Sequence, residues 1–145
     1  MPELVIDVEG VPMPKGSKTA VVRGDRAVLL DARRAGSRAS YAAWCSAVDV
    51  AARAEALVGR HEPLDGHLVV RVDFYLPRPA RTRVGARPAG KPALDKLYPA
   101  VHANLGALIP DDARVVDLSG AKWWATDDRP PGARIQIGLA ESAAA

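Results

Sequence analysis

Between Pro77 and Pro92 the chain carries Arg78, Arg81, Arg83, Arg87 and Lys91 and no acidic residue, set among prolines and glycines. The segment Lys91-Pro92-Ala93-Leu94-Asp95-Lys96-Leu97 closes this stretch, and Pro110-Asp111-Asp112-Ala113-Arg114-Val115-Val116-Asp117 follows about one helix later. Unbalanced cations draw phosphates and release counterions, so binding through such a loop should fall steeply with salt, by roughly one unit of slope per contact. Arg78, Arg81, Arg83, Arg87 and Lys91 of the basic loop 78–92 are therefore candidate DNA contacts, and Lys15 and Lys18 extend them. The bland reading of the same residues is a solubilising surface loop. The acids have a bland reading too: Asp95 as a helix cap, Asp111-Asp112 as a turn. Adjacent strand residues face opposite ways, so of Trp123 and Trp124 one should be buried and the other free to stack on a base or meet a partner. His61, His67 and His102 share no zinc-like spacing, and neither serine nor Cys45 belongs to a recognisable triad.

Positioning these residues requires a scaffold. At 145 residues and 48% hydrophobic, the chain supports one core, read as a single domain over 1–145 with a frayed tail at 141–145. Lys and Arg total 20 against 17 Asp and Glu; a net charge of +3 does not mark a nucleic-acid binder, so local clustering decides. A single cysteine leaves no intrachain disulfide, no apolar run approaches the roughly 20 residues that span a bilayer, and no basic-then-apolar leader is present. A cytoplasmic, unexported protein is expected.

Leu4, Ile6 and Val8 alternate with Val5, Asp7 and Glu9, predicting a strand within Glu3–Val11, and Pro12–Lys18 reads as an exposed loop. Thr19–Arg23 and Ala27–Leu30 flank the turn-prone Gly24-Asp25 as a hairpin. Tyr41, Trp44, Cys45, Val48, Ala52 and Ala56 recur at helical spacing, predicting a helix from Ser37 or Ser40 to about Leu57. His67–Leu76 sets Val70, Val72, Phe74 and Leu76 against Arg71, Asp73 and Tyr75 as a strand. A second helix over Leu94–Leu108 takes its stripe from Leu94, Leu97, Tyr98, Val101, Leu105 and Leu108. Pro99 moves its regular start to Asp95 or Lys96, or bends it. Arg114–Leu118 and Ala121–Thr126 suggest a strand with an irregularity at Ser119-Gly120, and Ala133–Leu139 the last strand. This order predicts an α+β fold, a mixed sheet with two helices packed on one face.

On the helix-start segment and the Asp-Asp-x-x-Val-x-Asp segment, the sequence resembles the RusA-like Holliday junction resolvases, whose signature pairs Asp-x-Asp at a helix start with such a later run. Lys122, five residues after Asp117, matches a family lysine, and the likeness runs from roughly His67 to Trp124. The resemblance implies a dimeric, magnesium-dependent endodeoxyribonuclease, with manganese as a substitute, that resolves four-way DNA junctions, often of phage or prophage origin. It implies catalytic positions at Asp95, Asp112, Lys96 and Ala93, where an acid is expected, metal ligands at Asp95 and Asp112 with Asp111 as helper, and Lys122 among the DNA contacts. Magnesium needs several oxygen donors converging in octahedral geometry, so Ala93 removes a donor, and Asp73 or Asp117 is left to complete the set. Ala93 is either a natural departure or an Asp replaced to trap an uncleaved complex; Pro99 stands where the family often has lysine. This chain is thus expected to bind junctions and cleave them poorly. The alternatives are a non-catalytic branched-DNA-binding protein of the same fold and a small basic RNA-binding domain.

Overall fold

Strand residues alternate sides, so the period-two patterns above must emerge as one apolar and one polar sheet face. The computed structural model describes residues 4–15, 18–23, 26–31, 35–59, 64, 66–82 and 86–140, with the backbone alone over 18–23, 26–31 and 35–40. The elements are β1 (Leu4–Glu9), β2 (Lys18–Arg23), β3 (Arg26–Asp31), α1 (Ala35–Val58), β4 (Leu68–Leu76), α2 (Leu94–Ala103), a 3-10 turn (Asp112–Arg114), β5 (Val115–Trp124) and β6 (Gly132–Leu139). The main sheet has the order β1-β6-β4-β5, with β4 and β5 parallel and the other pairs antiparallel; β2 and β3 form a separate hairpin. This is the expected α+β domain with a mixed sheet.

Register makes the inner face explicit. Leu4, Ile137, Val70 and Leu118 lie in one row, Ile6, Ile135, Val72 and Gly120 in the next, and Val8, Ala133, Phe74 and Lys122 in a third. Both helices cover this face, α1 through Trp44, Val48 and Ala52, and α2 through Leu97, Ala100 and Val101, all buried. Those α1 residues stand four apart, one stripe of a helix. At Gly120 an added Cβ would come within 3.0 Å of the Val72 carbonyl oxygen, so the glycine relieves crowding against β4, while Leu94 at 3.7 Å would be in ordinary contact.

Five expectations about the elements need correction. α1 starts at Ala35, so Ser37 and Ser40 lie within the helix and neither caps it. Lys18 begins β2 instead of ending a loop, and its side chain lies outside those described. α2 starts at Leu94 and holds Pro99 inside it, and it ends at Ala103, five residues short. Pro99 has no N–H to offer the Asp95 carbonyl, while Asn104 terminates the helix by donating its side-chain amide to Ala100 O at 2.6 Å. Leu105 and Leu108 are still buried, carried by turns in which the Leu108 and Ile109 amides both bond Leu105 O. Finally, β5 runs unbroken through Ser119-Gly120; its register shift lies where Leu68 pairs with Val115 but Val69 with Asp117, leaving Val116 as the extra residue. The Gly24-Asp25 turn and the 141–145 tail lie outside the described residues.

Candidate nucleic-acid interface

The basic segment is anchored to the sheet by the side chains that follow it. Lys122 on β5 donates its Nζ to Gly90 O at 2.8 Å and Pro92 O at 2.9 Å, gripping the turn that precedes α2. Arg87 donates to Lys122 O at 3.2 Å and lies 4.0 Å above the Trp123 ring. The Lys91–Pro92 peptide is cis. Lys122 is therefore a structural clamp, two of its three ammonium donors held by carbonyls. Arg78, Arg81, Arg87 and Lys91 are exposed, and Arg83 lies outside the described residues.

At the start of α2, Ala93 is the N-cap in extended geometry and supplies no side-chain cap. Asp95 sits in the first turn, so it is not the cap that its bland reading made it; its charge instead faces the positive end of the helix dipole. Asp95, Tyr98 and His102 follow at three- and four-residue steps, which puts them on one flank of the helix. At the far end of that flank the exposed His102 holds Asp112, Nε2 to Oδ2 at 2.7 Å, while its Nδ1 stands 3.4 Å from the Tyr98 hydroxyl. Burial, with the Asp112 charge adding to it, pushes the Tyr98 hydroxyl above the usual tyrosine range.

Asp95 and Asp112 thus flank Tyr98, each bordering its own cavity. Asp95 borders an open, mostly apolar groove of about 450 Å³ formed with Val72, Leu94, Leu118 and Gly120. Asp112 borders a small recess with His102, Leu105 and Val115, and Tyr98 lines both. Asp111 is occupied locally, accepting from the Ala113 amide at 3.1 Å to cap the 3-10 turn, with Arg114 3.9 Å away. Among the described residues no group of three or more His, Cys, Asp or Glu is arranged to hold a metal ion.

The two acids held in reserve belong elsewhere. Asp73 and Asp117 lie in rows of the outer sheet face, opposite the helices. Asp73 is buried there and accepts from Arg71 Nη2 at 3.0 Å and Trp123 Nε1 at 2.8 Å. Neither is available beside Asp95. Trp123 and Trp124 do face opposite sides, yet both are half-buried, Trp124 packing against the core and Trp123 lying under Arg87.

A second cavity escaped the sequence reading. Residues 11–15, the end of β4 at Leu76-Pro77, Pro79, the turn Lys91-Pro92-Ala93, Lys96 and Trp124 enclose a cleft of about 730 Å³. The pairing of His102 with Asp112 was also unforeseen, because the two meet only after the chain turns at Leu105–Ile109. The signal available was position: His102 stands seven residues after Asp95 on the same helix flank.

No family model matches this chain, and no curated protein matches it. No described helix is long and apolar enough to cross a membrane.

Proposed function

We infer that the chain is a structure-specific endodeoxyribonuclease of the RusA-like kind, acting on four-way DNA junctions, with magnesium-dependent cleavage weakened by Ala93. The observation that carries this reading is the fastening of an acid-free cationic segment against the start of α2. Lys122 clamps that turn, so Lys91, Ala93, Asp95 and Lys96 lie together at the end of the basic loop. Phosphates drawn to exposed Arg78, Arg81, Arg87 and Lys91 would arrive beside Asp95.

As the chain stands, its donors do not fit a magnesium site. Asp95 lacks the neighbouring acid that Ala93 would have supplied, Asp112 is engaged by His102, and Asp111 caps a turn. Junction binding therefore persists in this reading while hydrolysis is slow. Two copies related by a two-fold axis would match the symmetry of a four-way junction, so a homodimer belongs to the same proposal, as does a bacterial or phage setting in the cytoplasm.

A second reading, a non-catalytic branched-DNA-binding protein, is favoured because, among the described residues, no three His, Cys, Asp or Glu are grouped to hold a metal ion. One assay separates them: a labelled four-way junction incubated with the chain and with Ala93→Asp, across a magnesium or manganese titration. The nuclease reading expects paired nicks that strengthen in Ala93→Asp. Junction retention without nicks in either protein at any metal concentration sinks it in favour of the binder, and preferential competition by RNA would sink both.

A further inference from the structure

We propose that the cleft between residues 11–15, the end of β4 and the turn at 91–93 seats one unpaired nucleotide of a DNA strand. Its base would lie against the proline and tryptophan walls and its phosphates on Lys15, Lys91 and Lys96. This rests on the DNA-binding reading above and adds a substrate feature to it, recognition of an unpaired nucleotide in addition to duplex.

The cleft is a built shape. The Lys15 amide donates to Lys96 O at 2.9 Å, pinning the 11–15 wall to α2. The opposite wall is held by Lys122 through Gly90 O and Pro92 O. The Ala125 amide donates to Leu76 O at 2.7 Å, fixing the end of β5, which carries Trp124, beside β4. A volume of about 730 Å³ lies within the usual range of small-ligand sites.

Its chemistry narrows the occupant. Among the described residues the lining includes Pro12, Pro14, Pro77, Pro79, Pro92 and Trp124 and no acid, while its ionised groups are Lys15, Lys91 and Lys96, all exposed. Five of these residues are prolines, which have no N–H, so the walls offer an extended acidic peptide fewer main-chain donors than strand addition ordinarily uses. A flat apolar body carrying phosphates has no such need. Stacking on ring faces is tolerant of sequence, and ammonium groups serve phosphates as point charges.

The test compares the full chain with Val11→Glu, which sets a carboxylate in the cleft at a residue 48% exposed, and with Val50→Glu on α1, 59% exposed and outside the cleft lining. Fluorescein-labelled oligothymidylate and the same strand annealed into duplex are the probes, at fixed ionic strength. Val11→Glu should weaken oligothymidylate binding at least about tenfold and duplex binding less than about threefold, with Val50→Glu leaving both unchanged. Lys15→Glu provides a second cleft variant, with the same ordering expected, should Val11→Glu fold poorly by circular dichroism. Equal losses on both probes, no loss on either, or displacement by a glutamate-rich peptide as effective as by oligothymidylate overturns the cleft assignment. A chain that binds no DNA at all overturns this inference and the nuclease reading together. Cleft variants behaving as expected while Ala93→Asp never cleaves would leave this inference standing and remove the nuclease alone.

Discussion

The two sides of the molecule treat their acids differently. On the outer face, opposite the helices, Asp7 accepts from Arg129 at 2.9 Å and from Arg134 at 3.0 and 3.2 Å, and Asp73 is saturated by Arg71 and Trp123. Asp7, Arg134 and Asp73 lie side by side across β1, β6 and β4. Arg129 covers the Tyr75 ring at 4.3 Å as Arg87 covers Trp123. Along α2, by contrast, Asp95 is exposed, and Asp112 has a single histidine for company. Charges that hold a fold together are paired and hydrogen-bonded; charges kept for a ligand are left with unused lone pairs. By that criterion Asp7 and Asp73 are structural, and Asp95 at the start of α2 is the candidate for chemistry.

The largest effect should come from the best-paired acid. Asp73→Ala strands the Trp123 indole N–H and the Arg71 guanidinium in a half-buried setting, with an expected cost of about 2 kcal/mol, read as a lower urea midpoint at an unchanged slope. A loss no greater than that of an ordinary surface substitution would erase the distinction between the two sides. Ala93→Asp should move stability the other way. The N-cap backbone is already extended, so a carboxylate there can accept from the Asp95 or Lys96 amide, worth about 1 kcal/mol, less the repulsion from Asp95. A thermal melt reads that gain without any metal, independently of whether cleavage appears.

Residues whose order alone defines a face were legible from sequence. Leu4, Ile6 and Val8, the β4 alternation and the Trp44-Val48-Ala52 stripe define the sheet, α1 and the shared covered side by their spacing alone. What was not legible depended on partners distant in the chain. Lys122 reads as one more cation until the carbonyls of Gly90 and Pro92 stand around it, some thirty residues away in sequence. Asp73 reads as a spare ligand until the register with β5 brings in Trp123. The end of α2 was overestimated because Leu105 and Leu108 satisfy the helical period from within turns, burial there being independent of helical hydrogen bonding.

A smaller effect probes the outer face through pH. The Arg134 bond foremost, with Arg129 assisting, holds the Asp7 carboxyl below its ordinary range despite partial burial. In the unfolded chain an aspartate titrates at about 3.9. Because the folded value is lower, the contribution of Asp7 is complete above that pH and fades as pH falls through the folded value. Asp7 is half-exposed, so Asp7→Asn should cost less than about 1 kcal/mol at neutral pH, and the gap to the parent should close in acid. A gap that widens below pH about 4 would contradict the pairing.

The smallest effect on stability, and the sharpest on function, belongs to Asp95→Asn. No partner for this carboxylate emerges from the geometry of α2, and its exposed place in the first turn leaves only a weak dipole contribution, so stability should change by no more than about 0.5 kcal/mol. The same substitution placed in Ala93→Asp should abolish metal-dependent nicking, because amide nitrogen and oxygen cannot supply the anionic donor that magnesium requires. Junction affinity should persist, since its phosphate contacts come from the basic loop. Retained nicking in the double variant would move the chemistry away from α2; a collapse in stability would instead make Asp95 another fold-holding acid like Asp73 and erase the contrast between the two sides.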